Sequence, residues 1–417
     1  MTGALLYAID CRYERLSGNA DMKKILVYFI TALCPVALIC THSQAQARKI
    51  IPAAECTERY LDLLEGKSIG VVTNHTGMIG NRHLVDSLTA LNIHVLKIFS
   101  PEHGFRGDTE DGSSVNDGTD PVTGIPVYSL YGAKKKPSAV DLEGIDLMVF
   151  DLQDVGVRCF TYLSTLHYVM EACAENSIDL LVLDRPNPNG FYVDGPVLEK
   201  ENASFIGMHP VPLVYGMTIG EYAQMINGEG WLADSARCTL TVIPCQNYTH
   251  RSFYELPVQP SPNLPNMVSV YLYPSLCLFE GTVMSVGRGT DMPFQLFGHP
   301  SITSFPYEFT PVSKPGASTD PPYKDQVCRG VDLSGVPVSF LRNNAQIILD
   351  WLMEAYRNYE PAEQFFIPYF TKIAGTSVLR QQIVEGKDAY QIRYSWQEAI
   401  REFEKTRKKY LLYPDFK

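Results

Sequence analysis

At 417 residues the chain is longer than one hydrophobic core usually organises, and its 45% apolar and 19% charged content is that of a folded protein rather than a disordered one. A formal net charge of −11, with basic residues scattered apart from short runs such as Lys134-Lys135-Lys136, argues against nucleic acid as a partner. Acidity does not exclude an anionic sugar, because a few locally placed arginines can outweigh the global balance.

From Met22 the chain reads Met-Lys-Lys, an apolar stretch over 25–39, then Ala45-Gln46-Ala47, the basic, hydrophobic and small-residue order of a secretory signal. Region 1–47 is therefore expected to be a targeting segment cleaved after Ala47. Met22 is the better start, since the residues before it include Asp10, Arg12, Glu14 and Arg15. Ile39 is larger than the residue usually found before a lipidated cysteine, so cleavage at Ala47 is preferred over lipidation of Cys40. The apolar stretch is short for a bilayer and nothing comparable follows, so the expectation is a periplasmic or secreted chain with no stable membrane span. Seven cysteines lie beyond residue 47, an odd set without CxxC spacing. They read as buried thiols rather than a disulfide framework or zinc site.

In chain order, residues 53–64 have helical character, and 68–72 form a short apolar strand ending in the turn-formers Thr73-Asn74-His75-Thr76-Gly77. A helix over 84–91 and a strand over 94–99 follow, then a Pro/Gly-containing loop from Ser100. The order repeats with a strand at 146–150, a helix at 160–174 and a strand at 179–183. Strand, helix, strand implies parallel crossovers and an open α/β sheet. No GxGxxG follows the first strand, so no dinucleotide site is inferred and no cofactor is expected. Beyond a helix near 218–227 and a β-branched run at 239–243, the proline-rich segment 257–265 is the candidate junction between a domain over 48–258 and a second over 259–417. The latter ends in an amphipathic helix near 396–408.

Functional loops of open α/β sheets lie at the carboxyl ends of the strands. Four loops fall there, beginning near Thr73, Pro101, Leu152 and Asp184. In Pro101-Glu102-His103-Gly104-Phe105-Arg106, proline and glycine can hold Glu102 in a fixed, partly desolvated position suited to a general acid. A loop carboxylate paired with Arg106 fits the same pattern. Glu280, in Phe279-Glu280-Gly281-Thr282, is the candidate second carboxyl, because glycosidases commonly place two across the scissile bond. A structural glutamate bonded to backbone is the competing reading. Arg288 between two glycines has room to meet an anion. Gln153, Asp154, Arg158 and Tyr162, with Arg185 and Asn187, can read sugar hydroxyl, acetamido and carboxylate groups, or can satisfy one another. Asn74 and His75 join them from the first loop. His75 and His103 raise a metal question, but neither HExxH nor a matching Asp/His set surrounds them, so no metal is expected.

With Thr73-Asn74-His75-Thr76-Gly77, Pro101-Glu102-His103-Gly104, Asp151-Leu152-Gln153-Asp154-Val155-Gly156, Arg185-Pro186-Asn187-Pro188, Pro262-Asn263-Leu264-Pro265, Phe279-Glu280-Gly281-Thr282, Gly287-Arg288-Gly289-Thr290 and Ala374-Gly375-Thr376 in one order, the chain resembles the exo-β-N-acetylmuramidase family of peptidoglycan hexosaminidases. The resemblance implies a Rossmann-like N-terminal domain, a smaller α+β C-terminal domain and a cleft between them. It also implies release of N-acetylmuramic acid from non-reducing ends of peptidoglycan-derived saccharides, with Glu102 as the catalytic glutamate. Arg288 or Arg158 would hold the lactyl carboxylate, and Asp151 or Asp154 could orient the acetamido group. The chain departs from the family pattern at Val286 and at Asp291-Met292. A noncatalytic periplasmic receptor for wall sugars, and an amidase or esterase acting on peptidoglycan, are the rival readings.

Overall fold

The structure, a computed structural model, describes residues 48–102, 104–106 and 117–417; the expected signal region 1–47 and its cleavage point lie outside them. The described strands are β1 (Ser68–Thr73), the hairpin β2 (Met78–Ile79) and β3 (Arg82–His83), β4 (His94–Ser100), β5 (Gly118–Thr119), β6 (Pro126–Ser129), β7 (Leu147–Asp151), β8 (Asp179–Leu183), β9 (Leu240–Ile243), β10 (Leu296–His299), β11 (Tyr307–Phe309) and β12 (Cys328–Asp332). Seven of them form one sheet in the order β5-β6-β4-β1-β7-β8-β9. Every pairing in it is parallel except the edge pair β5–β6.

Parallel strands covered on both faces read as near-continuous apolar runs, and β7 is buried at all five positions. Alternate residues go to opposite faces. Val72, Met148, Phe150, Leu180 and Val182 join one cluster, which includes the helix Tyr162–Asn176 and runs on into Phe279, Phe297, Phe365 and Trp396. Ile69, Val71, Leu147, Val149, Leu181 and Leu183 join the other, closed by Leu84, Val85 and Leu88 of the helix Leu84–Ala90. The fold is thus mixed α/β with a mostly parallel central sheet, and residues Lys49–Lys417 make one compact unit.

Several elements differ from expectation. The helical stretch over 53–64 is two single 3₁₀ turns and the short helix Leu61–Leu64. Its start is held by the sheet instead, since the Ala53 N–H donates to the Asp184 carbonyl at 3.0 Å. The last helix begins at Ala389, not near 396, because Asp388 caps it by accepting from Gln391 N while Gln391 returns a bond to the Asp388 backbone. Residues 296–332 hold an antiparallel three-stranded sheet, β10-β12-β11, that the sequence pattern did not suggest.

After the helix Ala389–Arg407 the chain turns back over the main sheet. The Leu412 N–H donates to Glu221 at 2.8 Å, the Tyr413 hydroxyl to Asp184 at 2.5 Å, and the His250 N–H to the Pro414 carbonyl at 3.0 Å. Arg407 donates to the Gly216 carbonyl and pairs with Asp415. All seven cysteines in the described residues are buried and unbridged.

Candidate active site

Parallel strands deliver their loops to one edge of the sheet, and β4 ends there in Ser100-Pro101-Glu102. Glu102 is half-buried and lines a cavity of about 210 Å³. Its carboxylate accepts from the Thr161 hydroxyl at 3.0 Å. Gly104, two residues on, has φ +75, a region open to glycine, and its N–H donates to the Pro101 carbonyl at 3.2 Å.

Glu280 and Arg288 form another part of the same wall. Glu280 sits in the 3₁₀ turn Cys277–Gly281 that continues the helix Met267–Leu276. Arg288 Nη2 donates to Glu280 Oε1 at 2.7 Å, with the two side chains 18% and 25% exposed. The guanidinium also lies over the Phe294 ring, 5.0 Å from its centre. The flanking glycines are required there. Both have φ +80, and a Cβ on Gly289 would come within 2.6 Å of the Val312 carbonyl oxygen. A second cavity of about 350 Å³, walled by Met284, Val286, Pro322, Tyr323 and Ile367, shares Glu280 and Arg288 with the first.

Of the residues singled out from sequence, Glu102, Glu280 and Arg288 line the first cavity, while His103 lies outside the described residues. The others are not in its lining and bond to neighbouring protein groups. Asn74 donates to the Tyr162 hydroxyl at 2.6 Å and accepts from both the N–H and the hydroxyl of Thr76. His75 meets the Gln259 carbonyl at 2.9 Å, tying the first loop to the proline-rich segment. Arg106 holds Asp86 and Asp120 through paired bonds. Arg185 clamps Asp151 through two buried bonds of 2.6 and 2.8 Å. Gln153 donates to the Asp154 and Pro186 carbonyls, and Asn187 to the Met217 carbonyl.

Arg158 is only 2% exposed, and instead of a carboxylate it meets four carbonyls, of Pro196, Val211, Ile373 and Ala374. Its charge is spent on joining residues near 158 to the Ala374-Gly375-Thr376 segment, and it does not line the cavity. Neither does Asp154, which is fully buried. Its Oδ2 accepts from the Tyr215 hydroxyl and the Gly156 N–H, its Oδ1 has no partner, and burial pushes its pKa up to about 6. Burial likewise pushes Asp184 up to about 7, against the bonds it accepts from Tyr413, Thr218 and Gly220.

Two carboxyl groups, a guanidinium and a set of rings around one cavity can protonate a leaving oxygen, pair with an anionic substituent and stack on a sugar. The sequence reading missed Tyr131, Thr161, Phe205, Ser261, Asn263, Tyr273 and Tyr369 in the lining. Asn263 had a signal, as part of Pro-Asn-Leu-Pro. Thr161 had one too, one residue before Tyr162 at a helix start. Tyr131 and Phe205 lie in loops without pattern. Among the described residues no cluster of three or more His, Cys, Asp or Glu side chains could hold a metal ion, and no helix is long and apolar enough to cross a membrane.

Comparison with known proteins places this cavity in context. Residues 69–268 match the model of the N-terminal domain of the exo-β-N-acetylmuramidase NamZ, and residues 271–413 that of its C-terminal domain. The chain is 40% identical over 377 residues to the peptidoglycan β-N-acetylmuramidase NamZ of Bacillus subtilis, covering 85% of this chain and 89% of that protein. It is similar to two crystal structures of DUF1343 family proteins from Bacteroides fragilis. One is 47% identical with a TM-score of 0.82, over 88% of this chain and 99% of that one. The other is 29% identical with a TM-score of 0.70, over 87% and 99%.

Proposed function

The chain belongs to the exo-β-N-acetylmuramidase NamZ family, and from that premise we propose that it is a glycosidase releasing N-acetylmuramic acid from the non-reducing ends of peptidoglycan fragments. The observation that carries the reading is Glu102, half-buried in the cavity wall at the carboxyl end of β4 with a hydroxyl fixed against it. Glu102 protonates the leaving oxygen. Arg288 holds the lactyl carboxylate of the muramic sugar, and an incoming carboxylate competes with Glu280 for the same guanidinium. Glu280, displaced from Arg288, assists at the sugar. The parallel sheet fits a Rossmann-like domain over 48–258, with a smaller α+β domain over 259–417 completing the cleft. The signal-like order before Ala47 supports a periplasmic or secreted site of action, where peptidoglycan lies.

Product analysis tests the reading. Residues 48–417 are incubated with a disaccharide ending in N-acetylmuramic acid, beside Glu102→Gln. Free N-acetylmuramic acid from the parent alone is the expected result. Binding without release by the parent would overturn it in favour of a receptor, and release of peptide or acyl groups in favour of an amidase or esterase.

A further inference from the structure

The helix Tyr162–Asn176 begins without a side-chain cap, although its N-cap position holds Thr161, a residue type whose hydroxyl ordinarily accepts from the backbone there. Thr161 has helical dihedrals, φ −70 and ψ −5, rather than the extended ones a capping residue adopts, and its carbonyl accepts from the N–H groups of Ser164 and Thr165. The hydroxyl is thereby turned away from the helix and donates to Glu102 Oε2. The backbone on either side is pinned. Three residues upstream Arg158 is fixed by four carbonyls, and one residue downstream Tyr162 packs edge-on against Phe160 and meets Asn74. A hydroxyl that the helix does not use, on a backbone held from both sides, donates instead to the cavity carboxylate.

We propose that Thr161 is a positioning residue for Glu102, fixing the rotation of its carboxyl and favouring its ionised form, so that it sets the pH at which Glu102 yields its proton. This rests on the reading of Glu102 as the reacting acid. A donor to the carboxylate stabilises the charged state, so its loss raises the pKa. Among the described residues the other titratable groups around the cavity are Tyr131, Cys159, Tyr273, Glu280, Arg288 and Tyr369, and Arg106 lies on the same loop as Glu102. Thr161→Val leaves all of these in place.

The test follows the Glu102 carboxyl directly, by carbon NMR titration of the full chain labelled in its glutamate carboxyls, with the signal assigned by its loss in Glu102→Gln. Thr161→Val is expected to raise the titration midpoint by roughly one unit, the worth of one hydrogen bond to a charged group. Thr161→Ser should leave it near that of the parent. The melting temperature should hold in Thr161→Val, since no cap is lost, and Thr161→Ala serves as a second variant if valine packs badly. In activity, the alkaline limb of kcat should move up with the midpoint while KM stays constant. A midpoint unmoved in both the Val and Ala variants overturns the positioning role whether or not the parent releases sugar. A midpoint that moves, in a parent that releases none, upholds the positioning role and instead removes the glycosidase reading of Glu102.

Discussion

Glu102 and Asp151 stand at the same edge of the same parallel sheet, one just past the end of β4 and the other at the end of β7, yet their surroundings are opposite. Glu102 is half-buried on a cavity, with a neutral hydroxyl against it. Asp151 is fully buried, with both oxygens clamped by Arg185. The neighbouring Asp154 and Asp184 are sealed as well. The edge therefore carries two populations of polar side chains, one lining the cavity and one used to fasten the loops around it. A carboxylate's place at a strand end says where chemistry can occur, and its partners say whether that carboxylate performs it.

The sharpest way to break this contrast is Glu102→Gln. Activity should fall by roughly a thousandfold, the usual worth of a general acid, while the urea midpoint stays near that of the parent, because a half-buried loop side chain supports little of the fold. Loss of both together would put Glu102 among the fasteners. The mirror experiment is Asp151→Ala, which leaves Arg185 buried without its counter-charge and should cost about 3–5 kcal/mol in urea unfolding.

A third experiment uses pH. Asp154 moves from an ordinary carboxyl value of 3.8 to about 6 through burial, so across that window the folded chain binds more protons than the unfolded one. Its contribution to stability is present below the lower value and is lost as pH rises through the upper. Asp154→Asn should flatten the decline, reaching a difference of a few kcal/mol from the parent above the upper value, in unfolding midpoints taken against pH. Identical pH profiles would mean that Asp154 is ionised in the fold after all. The smallest expected effect belongs to Arg288→Lys, which keeps the charge but loses the planar fork. KM for a muramic-terminated disaccharide should rise roughly tenfold with kcat little changed. An equal change with a substrate lacking the lactyl carboxylate would mean that Arg288 only props up Glu280.

Much of the main sheet was legible because buried parallel strands are apolar runs with little else to be. The strand over 179–183 and the helix over 84–91 are found within a residue of where the pattern puts them. The sheet β10-β12-β11 was not, since Leu-Phe-Gly-His, Tyr-Glu-Phe and Cys-Arg-Gly-Val-Asp are short, and two of them are interrupted by glycine. The helix Met267–Leu276 hid behind a proline-rich approach and contains Pro274. At the cavity, Glu102, Glu280 and Arg288 stood out as charged residues in loops with proline or glycine beside them, and all three are in the lining. Arg158 misled for the converse reason. A guanidinium held by backbone carbonyls leaves no complementary acid in the sequence to betray its task, and Thr161 fell inside the helix expected over 160–174.

The return of the chain end over the sheet gives folding a direction in time. Asp184 ends up beside β8, near the middle of the polypeptide, but one of its hydroxyl donors is Tyr413, and Glu221 likewise waits for the Leu412 N–H. A nascent chain that has emerged only as far as β9 holds the complete set of strands of the large sheet, and Asp184 already accepts from Thr218 and Gly220, while the donors Leu412 and Tyr413 are still to come. The bonds from Leu412 and Tyr413 to these two acids are the last of their sets to form in the order of synthesis.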